Sequence, residues 1–260
     1  MSFRGAIFDV DGVLVDSPHE QAWREGLQQL MESEWDDVKG DTSYSPDKFT
    51  PEVYQRVMSG KPRYAGAQAV LEYFGVPDPE ERAQEYGDRK QIMIVELIER
   101  NQFHAYPDAL RFVLAVKDAG LQVAAASSSK NANAFLERIR LDEFVEEEGL
   151  SYDFVRPGYT LLDTLDANVS GRDFAQGKPH PEIFLTAAEE AGVSPEEAFV
   201  VEDAVNGVQA AKAGNMAALG LARADDEELL ADAHADLVVT SLDDVSLTAL
   251  AAGRLERTGP

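Results

Sequence analysis

The stretch "AIFDVDGVLVDS", residues 6–17, places two carboxylates, Asp9 and Asp11, at the end of an apolar run, with Gly12 directly after them. In an extended chain, positions i and i+2 face the same side, so both acids can be presented to one site. Gly12 lets the backbone turn away without a Cβ clash. One carboxylate can then serve as nucleophile or metal ligand, and its neighbour as proton donor and acceptor. The competing reading is a solvated turn, since Asp and Gly are good turn formers. A calcium loop is excluded, because Val13 and Leu14 stand where an EF-hand needs different residues. Asp16 reads as a hinge or turn residue.

Three further stretches could do chemistry. "LQVAAASSSKN" ends in Ser127, Ser128, Ser129, Lys130 and Asn131 just ahead of a helical pattern. Small hydroxyls, backbone N–H groups and a helix N-terminus suit a phosphate oxygen, although serine is also a routine helix cap. "GKPHPEIF" fixes Lys178 between Gly177 and Pro179, where an ammonium could neutralise a transferring phosphoryl group; a loop lysine at the surface is the plain alternative. "AFVVEDAVNGV" sets Glu202 and Asp203 side by side at the end of an apolar strand. Adjacent like charges repel unless a cation neutralises them, and oxygen-only ligands favour a hard ion such as Mg2+.

These residues need elements to position them. Residues 3–9 read as a short buried strand, followed over 18–103 by helical periodicity in "HEQAWREGLQQLMES", "GAQAVLEYFGV" and "KQIMIVELIERN". After Pro107 the rhythm alternates, with helices expected at 108–119, 131–140, 181–191, 205–213, 225–232 and near 243–252. Strands are expected at 121–127, 166–170, 198–202, 216–220 and 236–239. Repeated β-α units imply an α/β fold: a three-layer α/β/α, Rossmann-like parallel sheet core, residues 1–17 and 104–260, with an inserted all-α helical cap domain, 18–103. All four chemical stretches then fall at the C-terminal edge of one sheet, where open α/β sheets bind ligands. The stretch 142–163 is the least readable part.

The ordered set of "DVDGVLVDS", a Ser-ended second strand, the Lys of "GKPHP" and the acids of "VVEDAVNG" resembles the haloacid dehalogenase-like hydrolase superfamily. Within it, the chain resembles the β-phosphoglucomutase-like phosphatases with a helical cap, over nearly its whole length. The resemblance implies Asp9 as the nucleophile that becomes an aspartyl phosphate and Asp11 as general acid/base. It implies Ser127, Ser128 and Lys178 as phosphate ligands, and Asp9, Glu202, Asp203 and the backbone carbonyl of Asp11 as ligands of magnesium. In the cap, His19 falls where the mutases carry a hinge histidine and Arg63 where they carry an arginine that grips the non-transferring phosphate; Ser129, Lys130 and Asn131 match their loop after the second strand. Asp88 of "YGDRKQ" falls near another phosphate-facing lysine of the mutases, with Arg89 or Lys90 as substitutes.

A mutase must hold its bisphosphate intermediate while it reorients, so it needs a second phosphate clamp and exclusion of water. With that clamp incomplete at Asp88, the sequence favours a phosphatase of small phosphorylated metabolites, sugar phosphates foremost, over a β-phosphoglucomutase. A phospho-aspartate signalling switch also combines acids, a hydroxyl and a lysine, but residues 18–103 count against it. An interaction module gives no reason for four such features at one edge.

Composition narrows the partners. The chain has 260 residues, enough to bury a substantial core, and 44% of them are hydrophobic. No apolar run approaches the roughly 18 residues that span a bilayer, and no signal peptide pattern opens the chain, so a cytoplasmic location is expected. The absence of cysteine excludes disulfides and thiolate chemistry. With 48 Asp and Glu against 23 Lys and Arg, the formal net charge is -25. Such a surface repels nucleic acid and anionic membrane, leaving a small phosphorylated metabolite as partner and a monomer or weak homo-oligomer as the expected state. The acid excess fits adaptation to high salt, which screens self-repulsion. Thermal unfolding at rising salt concentration is expected to move to higher temperature; highest stability in dilute buffer would exclude that adaptation.

Overall fold

The computed structural model describes residues 2–58, 61, 63–224 and 226–259. Residues 59, 60 and 62, just before Arg63, and residue 225 of the helix expected over 225–232 therefore lie outside the described residues, as do residues 1 and 260. The chain divides into two compact units, Met1–Ser17 with His104–Pro260, and Pro18–Phe103.

The first unit opens with strand β1 (Gly5–Phe8), buried along its whole length. The chain then turns sharply: Leu14 N and Val15 N both donate to Val10 O, at 2.9 and 3.0 Å, and Gly12 N donates to Val15 O at 2.8 Å. The short strand β2 (Val15–Asp16) follows. Asp9 and Asp11 are thus brought together by a turn, and the alternation of an extended strand expected from their spacing ends at Phe8. Asp16 lies in β2, which pairs antiparallel with the strand that re-enters this unit.

The second unit consists of helices. α1 (His19–Glu32), α3 (Arg63–Phe74) and α4 (Pro79–Glu99) overlap the periodic stretches of the sequence, and α2 (Pro51–Val57) lies between the first two of them. Pro stands in the first turn of α2 and α4, where its missing N–H costs no intrahelical bond. The apolar stripes meet in a core of Trp23, Leu27, Leu30, Phe74 and Tyr86. Tyr86, fully buried, donates its hydroxyl to Trp23 O at 2.8 Å and lies edge-on to the Trp23 ring at 4.9 Å.

The chain returns through β3 (His104–Ala105) into α5 (Pro107–Asp118), β4 (Gln122–Ala125), α6 (Ala132–Arg138), α7 (Leu141–Glu147) and α8 (Leu161–Thr164). It continues through β5 (Ala167–Asn168), α9 (Glu182–Glu190), β6 (Ala198–Glu202), α10 (Val205–Ala213) and β7 (Ala217–Leu221). α11 (Glu227–Asp232), β8 (Leu237–Val239) and α12 (Leu247–Ala251) complete it. Six strands form one parallel sheet in the order β5-β4-β1-β6-β7-β8. Side chains alternate across it: Ile7, Ala124 and Val200 pack on one face with Ile183 and Phe184 of α9, while Phe8 and Phe199 meet Phe112 of α5 on the other. Helices on both faces of a parallel sheet are the layer architecture expected from repeated β-α units. No helix among the described residues is long and apolar enough to cross a membrane.

The unreadable stretch 142–163 holds most of α7 and most of α8. Both helices are too short to show a period, and they are fixed by local bonds: Asp142 accepts from Arg140 and from Gly158 N, and Thr160 with Asp163 forms a capping box at α8.

One buried ion pair ties three segments of the sheet's edge. Asp108, at the start of α5, accepts from Arg223 at 3.0 and 3.1 Å, from Leu242 N at 2.9 Å and from Ser241 Oγ at 3.2 Å. Burial alone would raise the Asp108 pKa, but these donors hold it below the ordinary carboxylate range. Asp108→Asn is expected to cost about 3 kcal/mol in urea unfolding at neutral pH. Because the folded-state value is depressed, that contribution is present above about pH 4 and fades as pH falls through the folded pKa, so wild type and variant should converge in acid.

Candidate active site

The register of the sheet sets the site. Phe8 pairs with Ala125 on one side and Val201 on the other, so the residues that follow these three positions leave the sheet at one level. Asp9 N still donates to Val201 O at 3.1 Å, and Ala126 N to Phe8 O at 2.8 Å. Asp9 therefore emerges between the serine loop that follows β4 and Glu202 at the end of β6. β1 and β4 stop short of the expected 3–9 and 121–127 because the residues that follow them bend into this site, and β5 stops short of 166–170 because Ser170 turns to bond the serine loop.

Asp9, Asp11, Ser127, Ser128, Ser129, Lys178, Glu202 and Asp203 line one cavity of about 250 Å3. Ala204 and Asn206, which the sequence reading missed, line it too. Lys178 lies at its base, with Nζ 2.6 Å from Asp9 Oδ1, 2.5 Å from Glu202 Oε1 and 4.8 Å from the centroid of the Phe184 ring. The Lys178–Pro179 peptide is cis. Burial by itself would lower the Lys178 pKa, but the charges of Asp9 and Glu202 outweigh it and hold the ammonium above its ordinary range.

The carboxylates feel the opposite balance. Burial, with repulsion from Glu202, pushes Asp9 up to about 7 against the pull of Lys178. Burial and the charges of Glu202 and Asp9 push Asp203 up to about 8. Lys178 bridges Asp9 and Glu202 but not Asp203. Negative charge in this cavity thus exceeds what one ammonium offsets, and all the side-chain donors are oxygens, which is the setting a hard divalent cation fits. Among the described residues no group of three or more Asp, Glu, His or Cys side chains stands as a ready-made cage. The physical reason is Glu202, whose Oε1 is held by Lys178 and whose Oε2 accepts from Ala204 N at 2.9 Å, with the residue only 2% exposed. Rather than presenting an open oxygen, Glu202 orients Lys178.

Two glycines make room for the acid pair. Gly12, at φ +83°, lies where an added Cβ would fall 1.9 Å from Asp203 Oδ2; at Gly207 it would fall 1.9 Å from the Glu202 carboxyl. "DG" signalled the first, but the second is disclosed only by the fold. The Ser127 hydroxyl, buried at 2% exposure, donates to Asp11 Oδ2 at a long 3.5 Å and accepts from Ser129 N at 3.1 Å.

The remaining site residues of the sequence reading lie elsewhere. Lys130 and Asn131 are not among the cavity's lining residues; Lys130 Nζ instead donates to Gly171 O at 2.7 Å and to Asp173 Oδ1 at 2.6 Å, and Asn131 is buried at the start of α6. His19 and Arg63 belong to the helical unit. Arg63 donates to Gln91 Oε1 at 2.7 Å, and His19 Nδ1 lies 3.0 Å from Lys90 Nζ. Of the three residues considered at the mutases' lysine position, Asp88 accepts from the Tyr64 hydroxyl and Arg89 pairs with Glu34, while Lys90 alone joins the predicted cap residues.

A parallel sheet with β1 at its centre, two acids in the turn after it, a serine loop beside it and a lysine-bridged acid pair across it define a class of α/β enzymes that act on anionic groups. The family model for haloacid dehalogenase-like hydrolases matches residues 3–215, and the chain belongs to that family. The β-phosphoglucomutase of Mycobacterium bovis is 32% identical over 258 residues, covering 92% of this chain and 90% of that protein. The phosphorylated carbohydrates phosphatase of Thermotoga maritima is 30% identical over 212 residues, covering 81% of each. Among solved structures, the β-phosphoglucomutase of Pyrococcus sp. strain ST 04 superposes with a TM-score of 0.69 at 29% identity, over 95% of this chain and 96% of that one.

Gly12→Ala and Gly207→Ala are each expected to displace a carboxylate by about an ångström and to lower turnover on the order of 10²-fold. Steady-state kinetics with circular dichroism checks this; near-wild-type turnover in either variant would show that the acid pair need not sit where the glycines allow it.

Proposed function

We propose that this protein is a magnesium-dependent phosphotransferase of sugar phosphates that works through an aspartyl phosphate on Asp9, and that its chemistry is that of a β-phosphoglucomutase. Support for phosphoryl transfer comes from the cavity of Asp9, Asp11, Ser127, Ser128 and Lys178. One Asp9 oxygen attacks phosphorus as the bond to the leaving oxygen breaks, and Asp11 delivers a proton to that oxygen. In the second half-reaction Asp11 takes the proton of the attacking hydroxyl, and Asp9 regains its carboxylate. Lys178 offsets the repulsion between the Asp9 carboxylate and the incoming anion, while Ser127 and Ser128 orient the phosphoryl oxygens. Asp9, Asp203 and the backbone carbonyl of Asp11 would hold magnesium, with Glu202 fixing Lys178 behind them. When bound, the metal supplies positive charge against the equatorial phosphoryl oxygens.

The observation that moves the reading from hydrolysis to mutase chemistry is Lys90, only 7% exposed, 3.0 Å from His19. At Asp88 the sequence left the basic set of the helical unit incomplete; in this reading Lys90, with His19 and Arg63, supplies hydrogen-bond donors for a second phosphate. The phosphatase reading stands on the Thermotoga maritima relative.

With magnesium, β-glucose 1-phosphate and a catalytic quantity of β-glucose 1,6-bisphosphate, the expected product is glucose 6-phosphate with little free phosphate. Release of phosphate in step with substrate loss would establish the phosphatase instead. Asp9→Asn should abolish either activity with the fold intact, and Lys90→Met should shift the product ratio toward free phosphate.

A further inference from the structure

The serine loop is held from behind by a second loop that the mechanism does not use. Ser170, 5% exposed, accepts from Ser127 N at 3.3 Å, and Gly171 N donates to Ser127 O at 2.9 Å. Lys130 closes the far side through Gly171 O at 2.7 Å and Asp173 Oδ1 at 2.6 Å. The brace is itself tied down: Asn168 Oδ1 accepts from Ser170 N at 3.0 Å, and Asn168 Nδ2 donates to Asn133 Oδ1 at 2.8 Å, in the first turn of α6. Both peptide groups flanking the Ser127 side chain are therefore fixed by residues about 40 positions later in the chain. The Ser127 N–H is engaged by Ser170, while the Ser127 hydroxyl lies between Asp11 Oδ2 and Ser129 N, at 3.5 and 3.1 Å, on the cavity side of the loop.

We infer that residues 168–173 form a brace that sets the phosphate-binding loop, and that Ser170 and Lys130 are positioning residues of it. The inference rests on the reading of Ser127 and Ser128 as phosphoryl ligands. It assigns Lys130 differently from the family resemblance: the lysine acts on the loop's shape and so on any phosphoryl group, whatever else the substrate carries. Asp173, at the exposed end of this tie, shares the role to a smaller degree, because an exposed ion pair contributes little.

The test measures the dissociation constant of inorganic phosphate by calorimetry in magnesium, and kcat and KM with primed β-glucose 1-phosphate, for wild type, Ser170→Ala, Ser170→Thr and Lys130→Met. Loss of the buried bond to Ser170 in Ser170→Ala, and of the half-exposed tie to Gly171 O and Asp173 in Lys130→Met, predicts that each weakens phosphate binding and raises KM by up to roughly tenfold, with kcat changed much less. Ser170→Thr, which keeps the acceptor oxygen, should recover most of the loss. If Ser170→Ala unfolds, Lys130→Met carries the test alone, since its side chain is half exposed. Unchanged phosphate affinity in Lys130→Met, with KM raised only for the sugar phosphate, would make Lys130 a substrate ligand and overturn the inference. Unchanged affinity in a folded Ser170→Ala would overturn it as well. Failure of the underlying reading is separately visible as a wild type that neither binds phosphate nor turns over, and it removes the inference too.

Discussion

The site depends on one buried ammonium held between two buried carboxylates. Lys178 lies within 2.6 Å of Asp9 and 2.5 Å of Glu202, in a place where any of the three charges alone would be costly. The sheet exists in the order that makes this contact possible. β1 lies between β4 and β6, so the turn carrying Asp9 has the serine loop on one side and the acid pair on the other. The loop carrying Lys178 enters from the segment before α9, whose Phe184 lies beneath the ammonium. Negative charge still exceeds positive in the cavity, as the upward shifts of Asp9 and Asp203 register. A divalent cation beside the fixed lysine would offset that excess.

The helical unit answers a different need. Its own core, built on Trp23, Phe74 and Tyr86, makes it a compact body with a separate apolar centre. Residues 18–103 carry ten of the chain's 23 Lys and Arg, spread along the unit. Lys90 is buried beside His19 with its ammonium over the Trp23 ring at 5.6 Å, and Arg63 is tied to the neighbouring residue of α4, Gln91.

Much of this was legible in the sequence because each chemical residue stands beside a strong local signal. An apolar run ending in "DVDG", three serines before a helix, a proline-flanked lysine and an acid pair after "FVV" mark strand ends, and strand ends of a parallel sheet share an edge. What escaped depends on contacts between distant segments. Nothing local indicates that Ser170 accepts from Ser127, that Gly207 clears the Glu202 carboxyl, or that Lys90 rather than Asp88 meets His19, although helical spacing from Tyr86 places Lys90 on the same buried stripe. The juxtaposition of Asp9 and Asp11 was expected from strand alternation, yet it arises from a turn closed on Val10 O. Residues 142–163 were opaque because α7 and α8 are one-turn to two-turn helices, too short for any period.

Acceptance of the phosphoryl group by Asp9, fixed by Lys178, is the step on which the proposed chemistry turns. Its most direct test is to mix the magnesium-loaded protein with β-glucose 1,6-bisphosphate labelled in its phosphoryl groups, quench in acid within milliseconds, and map the label by peptide mass spectrometry. The account predicts label on the N-terminal peptide at Asp9, chased into product by unlabelled substrate and absent from Asp9→Asn. Label on any other residue, or turnover with no labelled protein at any time, would contradict it.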